Sequence, residues 1–468
     1  MHLSYSRLSR SHTRLLAVAT ITVAISGQTS LAAALAWNGS GAVTGISTPW
    51  SLDTNWTPTA VPQSGDTLTF GTTTNSRTSN NDLVGLTLPG LNISGNAYTI
   101  SGNAVTLTGD VVFSAGTTNA SFVSMPLVMT QNLNVDVAAT TGSGRLELNG
   151  DISGNFAVTK ISPGMLRLVV GTKTYLGDTT ISGGTIDLAG GSLPSGAGKG
   201  SVFIAPGATL NSNNQNTAIN GLNGAGAANK TGSNSRTLTI GLGDANGSHS
   251  GTVSFVGGTS NMLKDGAGTQ VMAGTGTLSG GFVVNGGRMI VDGTYTGTGF
   301  AGANGTLGGT GALGNVTITG QLKPGGTLSA GVTSDSTAVL NTAGLTLNGA
   351  SITTLDIVSI ARETGYDGVD STGAIVYGGT LNVNTAAVLG TFDLFAFGAT
   401  VPTGNFGVVN VNGTALTNTA GIWTGAIGSN TYVFTQATGD LVVIAPEPTT
   451  LAALVGASVL GLRRRRGR

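Results

Sequence analysis

The sequence predicts an all-β protein, a right-handed parallel β-helix, and three observations carry that expectation. Glycine supplies 77 of 468 residues, more than double its usual share of about 7%. Helix formers are scarce, with glutamate confined to Glu147, Glu363 and Glu447, and short runs of Val, Thr and Ile take their place, as strands prefer. Leu86, Ile93, Ile100 and Leu107 recur every seven residues, but Pro89, Gly90, Gly95 and Gly102 lie between them. A heptad helix would not tolerate those breakers. A strand of about four residues and a tight turn, repeated, fits instead. Three such units close one turn of a three-faced coil, and repeats of about 20–45 residues mark solenoids.

Residues 1–36 read as a secretory signal peptide. Arg7, Arg10 and Arg14 form its basic region, residues 15–25 its apolar one, and Ala34-Leu35-Ala36 a small-residue cleavage site. Cleavage after Ala36 would leave Trp37 at the mature terminus, with Ala32-Ala33-Ala34 as the alternative. The chain is therefore expected to be exported. Both terminal segments are expected to form short signal helices.

Residues 37–85 differ from the repetitive stretch beyond them. Trp37, Trp50, Trp56 and Phe70 cluster there, as a cap should, because an exposed terminal rung offers unpaired strand edges to other chains. The alternative is a platform on which sugars stack.

Residues 86–350 form the expected coil. Strand-like runs at 179–181, 185–188, 202–205, 282–284, 288–291, 316–318 and 345–347 are separated by Gly183-Gly184, Gly286-Gly287 and Gly325-Gly326. Glycine supplies positive φ at sharp corners without steric cost. Two stretches superpose: Lys160 and Gly164 match Lys264 and Gly268, and Gly183-Gly184 match Gly286-Gly287 one residue out of step. The single deletion falls in a turn, where length changes are absorbed. The run from Lys173 to Ile186, KTYLGDTTISGGTI, resembles the autotransporter-associated β-strand repeat. The second copy follows the pattern in part, lacking the tyrosine at 275–279. The resemblance implies parallel β-helix architecture and no chemistry.

Residues 351–445 have longer alternating strands, most of the phenylalanines and few Gly-Gly turns. The segments from Tyr366 to Val383, 391–395 and 404–406 resemble the C-terminal end of many β-helical surface proteins, so a wider coil or sandwich-like β section is expected.

Residues 446–468 form a tripartite tail: Pro446-Glu447-Pro448, an apolar run at 451–462, then Arg463, Arg464, Arg465 and Arg466. Twelve apolar residues fall short of the roughly 20 that a stable span needs. The arginines would hold the end at the cytoplasmic face. This tail resembles the PEP-CTERM sorting signal, which implies transient inner-membrane anchoring and processing near the triplet by an exosortase. An ordinary membrane anchor is the other reading.

Charge and chemistry bound the function. Eight of the 20 basic residues and one of the 20 acidic ones lie in the terminal segments, leaving residues 37–445 at a net −7. Nucleic-acid binding needs a basic surface, so no such partner is expected. Cysteine is absent, which removes thiol nucleophiles and thiolate metal sites. His249 reads as a solvated turn residue. Asp244 and Asn246 could open a calcium loop, but Phe255 stands where the twelfth position needs a carboxylate. No metal or cofactor is expected.

Arg362, Glu363, Asp367 and Asp370 form the densest charged cluster. Paired carboxylates about 5–10 Å apart could serve a glycosidase; the plainer reading is a solvated turn hinged at Gly365 and Gly368. The expectation is a non-enzymatic structural or adhesive protein of the cell surface or extracellular polysaccharide matrix, touching polysaccharide through rows of Thr, Asn and Ser. A polysaccharide lyase or glycosidase on the same fold is the alternative. A self-translocating autotransporter is not expected, since no terminal run of long amphipathic strands could form its barrel.

Overall fold

The computed structural model describes residues 31–41, 48–115, 119–138 and 144–445. Leu86, Ile93, Ile100 and Leu107 lie on four successive strands, Leu86–Leu88, Leu91–Ile93, Thr99–Gly102 and Val105–Leu107. All four side chains are buried. The first of these strands lies parallel beside the fourth, with Leu86 against Val105, so three strands complete one coil. This is a parallel β-helix.

Period-two alternation sends one side chain of each pair inward. Inside, identical rung positions stack into apolar columns: Ile100, Val123, Leu148, Leu168 and Leu188 follow one another across five rungs. Each is buried to within 3% of complete. Burying one such side chain stabilises the fold by about 1.5–3 kcal/mol, and repetition along the axis makes these columns the main source of stability.

Parallel pairing starts before residue 86. Ala34–Trp37 lies parallel to Thr67–Phe70, with Ala34 against Thr67 and Leu35 against Leu68. The same strand runs antiparallel to Trp56–Thr57. Processing after Ala36, as the sequence suggested, would divide this strand. Trp37, Trp50 and Trp56 are buried and close edge-on around one another at 5.0 and 5.8 Å, with Phe70 beneath them. Their faces are occupied by each other, so no sugar can stack there.

Parallel pairing also continues beyond residue 350. Leu355 lies against Val383, and Val383 against Val411. Rungs that recur on the order of every 20 residues near Leu91 and Val111 lengthen toward this end because loops are inserted, the first a small hairpin of Thr327–Ser329 with Val332–Ser334 between the paired Leu322 and Thr353. The coil ends against an antiparallel sheet ordered Gly390–Asp393, Asp440–Ile444, Asn430–Thr435, Ile422–Ile427 and Thr417–Thr419. Phe434 of that sheet packs on Phe395 and Phe406 of the coil.

Among the described residues, helix is limited to two single 3-10 turns, Asp53–Asn55 and Leu242–Asp244. Among the described residues no helix is long and apolar enough to cross a membrane. Of the expected N-terminal signal segment only residues 31–36 are described, and Ala34–Ala36 belong to the first strand rather than a helix; the rest of it, the Pro446-Glu447-Pro448 triplet and Arg463–Arg466 lie outside the described residues.

Candidate binding surface

Four buried lysines shape the corners of the coil. The Lys160 ammonium donates to the carbonyls of Ile161 and Ser162 in its own turn and of Gly183 one rung on, at 2.6, 2.7 and 3.2 Å. Lys264 repeats the arrangement with Asp265, Gly266 and Gly286 at 2.8, 2.9 and 3.1 Å. Lys173 and Lys230 close their own corners with three carbonyls each. Sharp corners turn carbonyls inward where no ladder partner exists, and a three-donor ammonium satisfies them together. Burial pushes Lys160, Lys173 and Lys264 down to about 8, against the pull of Asp136, of Asp151, and of Asp265 with Asp244 respectively. These lysines are internal.

Outward positions form polar combs. In register, Glu147, Arg167, Asp187, Asn211, Asn229, Ser254, Thr277 and Thr296 occupy successive rungs of one face, spaced by the roughly 4.8 Å of a β-ladder. Its charged end is internally neutralised: Arg167 lies 2.7 Å from Asp187 and 3.7 Å from Glu147, and Asn211 donates to Asp187 at 2.8 Å. The end from Asn229 to Thr296 is uncharged. Sequence reasoning missed this row, although a spacing of 20 residues from Glu147 to Arg167 and again to Asp187 was its signal.

The adjoining face carries an exposed aromatic. Phe203 points outward, 43% exposed, between Thr180 on the rung before and Asn223 on the rung after. Asp178, Ser201, Asn223 and Ser248 surround it in a shallow depression of about 350 Å³. Asn223 accepts the Ser248 N–H at 3.0 Å, which fixes its amide beside the ring. An aromatic face edged with hydroxyls, an amide and a carboxylate suits a sugar, whose C–H face is apolar and whose rim is hydrogen-bonding. Phe203 escaped sequence reasoning, since an outward strand position is not distinguishable from an inward one until register is known.

A larger open groove of about 580 Å³ lies near the C-terminal end, lined by Asp335, Asp356, Asn384, Thr385 and Asn412 among others. Asn384 donates to Asp356 at 2.7 Å. Lys323 bridges Asp335 at 2.6 Å and Asp356 at 3.7 Å, and Arg288 also holds Asp335. Burial works against the Asp335 carboxylate, but hydrogen bonds from Lys323 and Arg288 keep it below the ordinary range.

The predicted charged cluster separates in space. Asp367 is fully buried, and its two oxygens accept the Ala338 and Asp356 N–H groups at 2.7 and 2.9 Å. Burial pushes it up to about 7, opposed by those two hydrogen bonds. It ties two strands together and cannot reach a substrate. Asp370 instead faces outward and pairs with Arg362, which also lies 3.3 Å from Asp393. Glu363 is exposed, with φ at +72° in the loop that follows Arg362. The pair of working carboxylates that the enzymatic alternative needs is not assembled from these four residues, and the expected solvated turn is corrected too: Gly365, Asp367 and Gly368 are buried, and Gly368 opens a strand.

His249 overturns its expectation as a solvated turn residue. It ends the strand Gly247–His249, in register with Gly224 and Met272, and is completely buried. Burial pushes its pKa down. Asp244 and Asn246 hold backbone, accepting the N–H groups of Ala267 and Thr269 at 2.7 and 2.6 Å. No group of three metal-ligating side chains occurs among the described residues.

No family model matches the chain. A segment of 140 residues, 30% of the chain, is 35% identical to the adhesin BmaC autotransporter of Brucella suis biovar 1. The chain spans about 4% of the length of that curated relative. The likeness is therefore to a small part of an adhesin autotransporter.

Proposed function

We propose that this chain is an exported adhesive rod of the cell surface or extracellular polysaccharide matrix, sorted through its PEP-CTERM tail by an exosortase. The observation that carries the reading is the outward architecture, in which uncharged Asn229, Ser254, Thr277 and Thr296 stand one per rung beside the exposed Phe203 shelf. Such a comb offers many weak, repeated hydrogen bonds to a repeating polymer, and affinity then comes from multivalency rather than from a deep pocket. The partial likeness to an adhesin supports adhesion, and the Pro446-Glu447-Pro448 tail supports its route. Retention of the purified protein on immobilised acidic and neutral polysaccharides tests the reading. Binding should weaken about tenfold in Phe203→Ala, a loss of roughly 1.4 kcal/mol; no retention on any polymer would remove it.

The competing enzyme reading draws on the groove of Asp335, Asp356 and Lys323. Incubating the same polysaccharides with the protein should release no oligosaccharide. Release that disappears in Asp356→Asn or Asp335→Asn would assign a glycosidase or lyase instead.

A further inference from the structure

We propose that the export leader is removed after Ala32, and that the new α-ammonium of Ala33 pairs with the buried carboxylate of Asp66. The Ala33 N–H already donates to Asp66 Oδ1 at 2.7 Å, and the Gln63 N–H to Oδ2 at 2.8 Å. Asp66 is only 4% exposed, yet among the described residues it forms no ion pair with Lys or Arg. A buried carboxylate held by two neutral donors costs stability that a cation would offset. Hydrolysis of the Ala32–Ala33 bond adds one water, leaving a carboxylate on Ala32 and an ammonium on Ala33. That ammonium arises within hydrogen-bond distance of Asp66.

The neighbouring cleavage points lack this match. The Thr67 N–H donates to the Ala33 carbonyl at 2.8 Å, and Ala34 and Leu35 pair with Thr67 and Leu68. Cutting after Ala34 deletes the Asp66 and Thr67 bonds, and cutting after Ala36 also deletes buried Leu35. Ser30-Leu31-Ala32 supplies the small residues that a signal peptidase requires around its cut, and Leu31 and Ala32 are exposed where the chain leaves the first strand.

The inference rests on the exported reading, and two experiments separate them. Amino-terminal sequencing of the full chain, expressed with its leader and exported by a Gram-negative host, should begin at Ala33. A start at Leu35 or Trp37 overturns the cleavage assignment while leaving export intact; an uncut leader overturns both. The second experiment compares residues 33–468 released with a free Ala33 amine against the same chain still carrying Leu31-Ala32. Asp66→Asn should lower the thermal midpoint more in the free-amine form. An equal loss in both forms would overturn the ion pair.

Discussion

The Lys160 ammonium and the Gly183 carbonyl, 3.2 Å apart, join two consecutive rungs at one corner of the coil, and Lys264 and Gly286 repeat the contact at 3.1 Å. The sequence motif of a lysine followed some 20 residues later by Gly-Gly thereby acquires a physical cause. The lysine supplies the donors, and the glycine pair supplies a corner whose carbonyl can face them. Removing the ammonium while keeping an apolar stem of similar length should leave the three carbonyls without a donor. Lys264→Met is expected to cost about 1–3 kcal/mol, read as a lower urea midpoint. A midpoint equal to that of the wild type would show that water replaces the ammonium.

The glycine half of the corner can be tested separately. Gly184 has φ +64°, and a Cβ there would lie 2.3 Å from the Gly164 carbonyl oxygen. Gly198 has a similar φ of +73° with nothing within 4 Å. Alanine at either position bears the left-handed backbone cost of about 1–2 kcal/mol. Only Gly184→Ala adds a backbone collision, so it should be clearly the less stable of the two in thermal melts. Equal losses would mean that conformation alone, not the close approach of rungs, demands glycine.

Alkaline titration should give a stability curve with a maximum. Burial holds Lys160, Lys173 and Lys264 near 8, below the ordinary lysine value of 10.5. Between those two values the unfolded chain binds more protons than the folded one, so stability rises with pH. Burial has the opposite consequence for tyrosine, pushing Tyr98 up to about 12 and raising Tyr175, Tyr295 and Tyr377 as well. Above pH 10 the unfolded phenols ionise first and stability falls. Urea midpoints should therefore climb from pH 8, peak near pH 10 and then drop, with a shallower climb in Lys264→Met. A monotonic fall from pH 8 would contradict the lysine assignment.

Much of the coil was legible because its signal is local. Leu86, Ile93, Ile100 and Leu107 announce strands by their spacing, and the Lys160 and Lys264 stretches announce a repeat by superposition. What could not be read is register. Whether Phe203 faces outward, whether Glu147, Arg167 and Asp187 share a row, and whether His249 lies inside all depend on which residue of one rung meets which residue of the next. A shift of one position reverses every side chain. The charged cluster misled for the same reason: Arg362, Asp367 and Asp370 are neighbours in sequence, but alternation buries Asp367 and exposes Asp370.

The tail is expected to be a processed signal rather than a lasting anchor. Its apolar run at 451–462 would extend only ~18 Å as a helix at 1.5 Å per residue, well short of a ~30 Å hydrocarbon core. On this expectation it would hold the chain only briefly, with Arg463–Arg466 fixing the orientation. Pro446 and Pro448 should keep the approach extended, because proline disfavours a helical predecessor, and an extended segment is what a protease or transpeptidase cleft accepts. Mature protein should therefore end near Pro446–Pro448, as intact mass will report. Replacing Pro446-Glu447-Pro448 with three alanines should leave an uncleaved form in the inner-membrane fraction. Surface-released wild-type protein that still carries Arg468 would refute processing, and the plain-anchor reading of the tail would stand in its place.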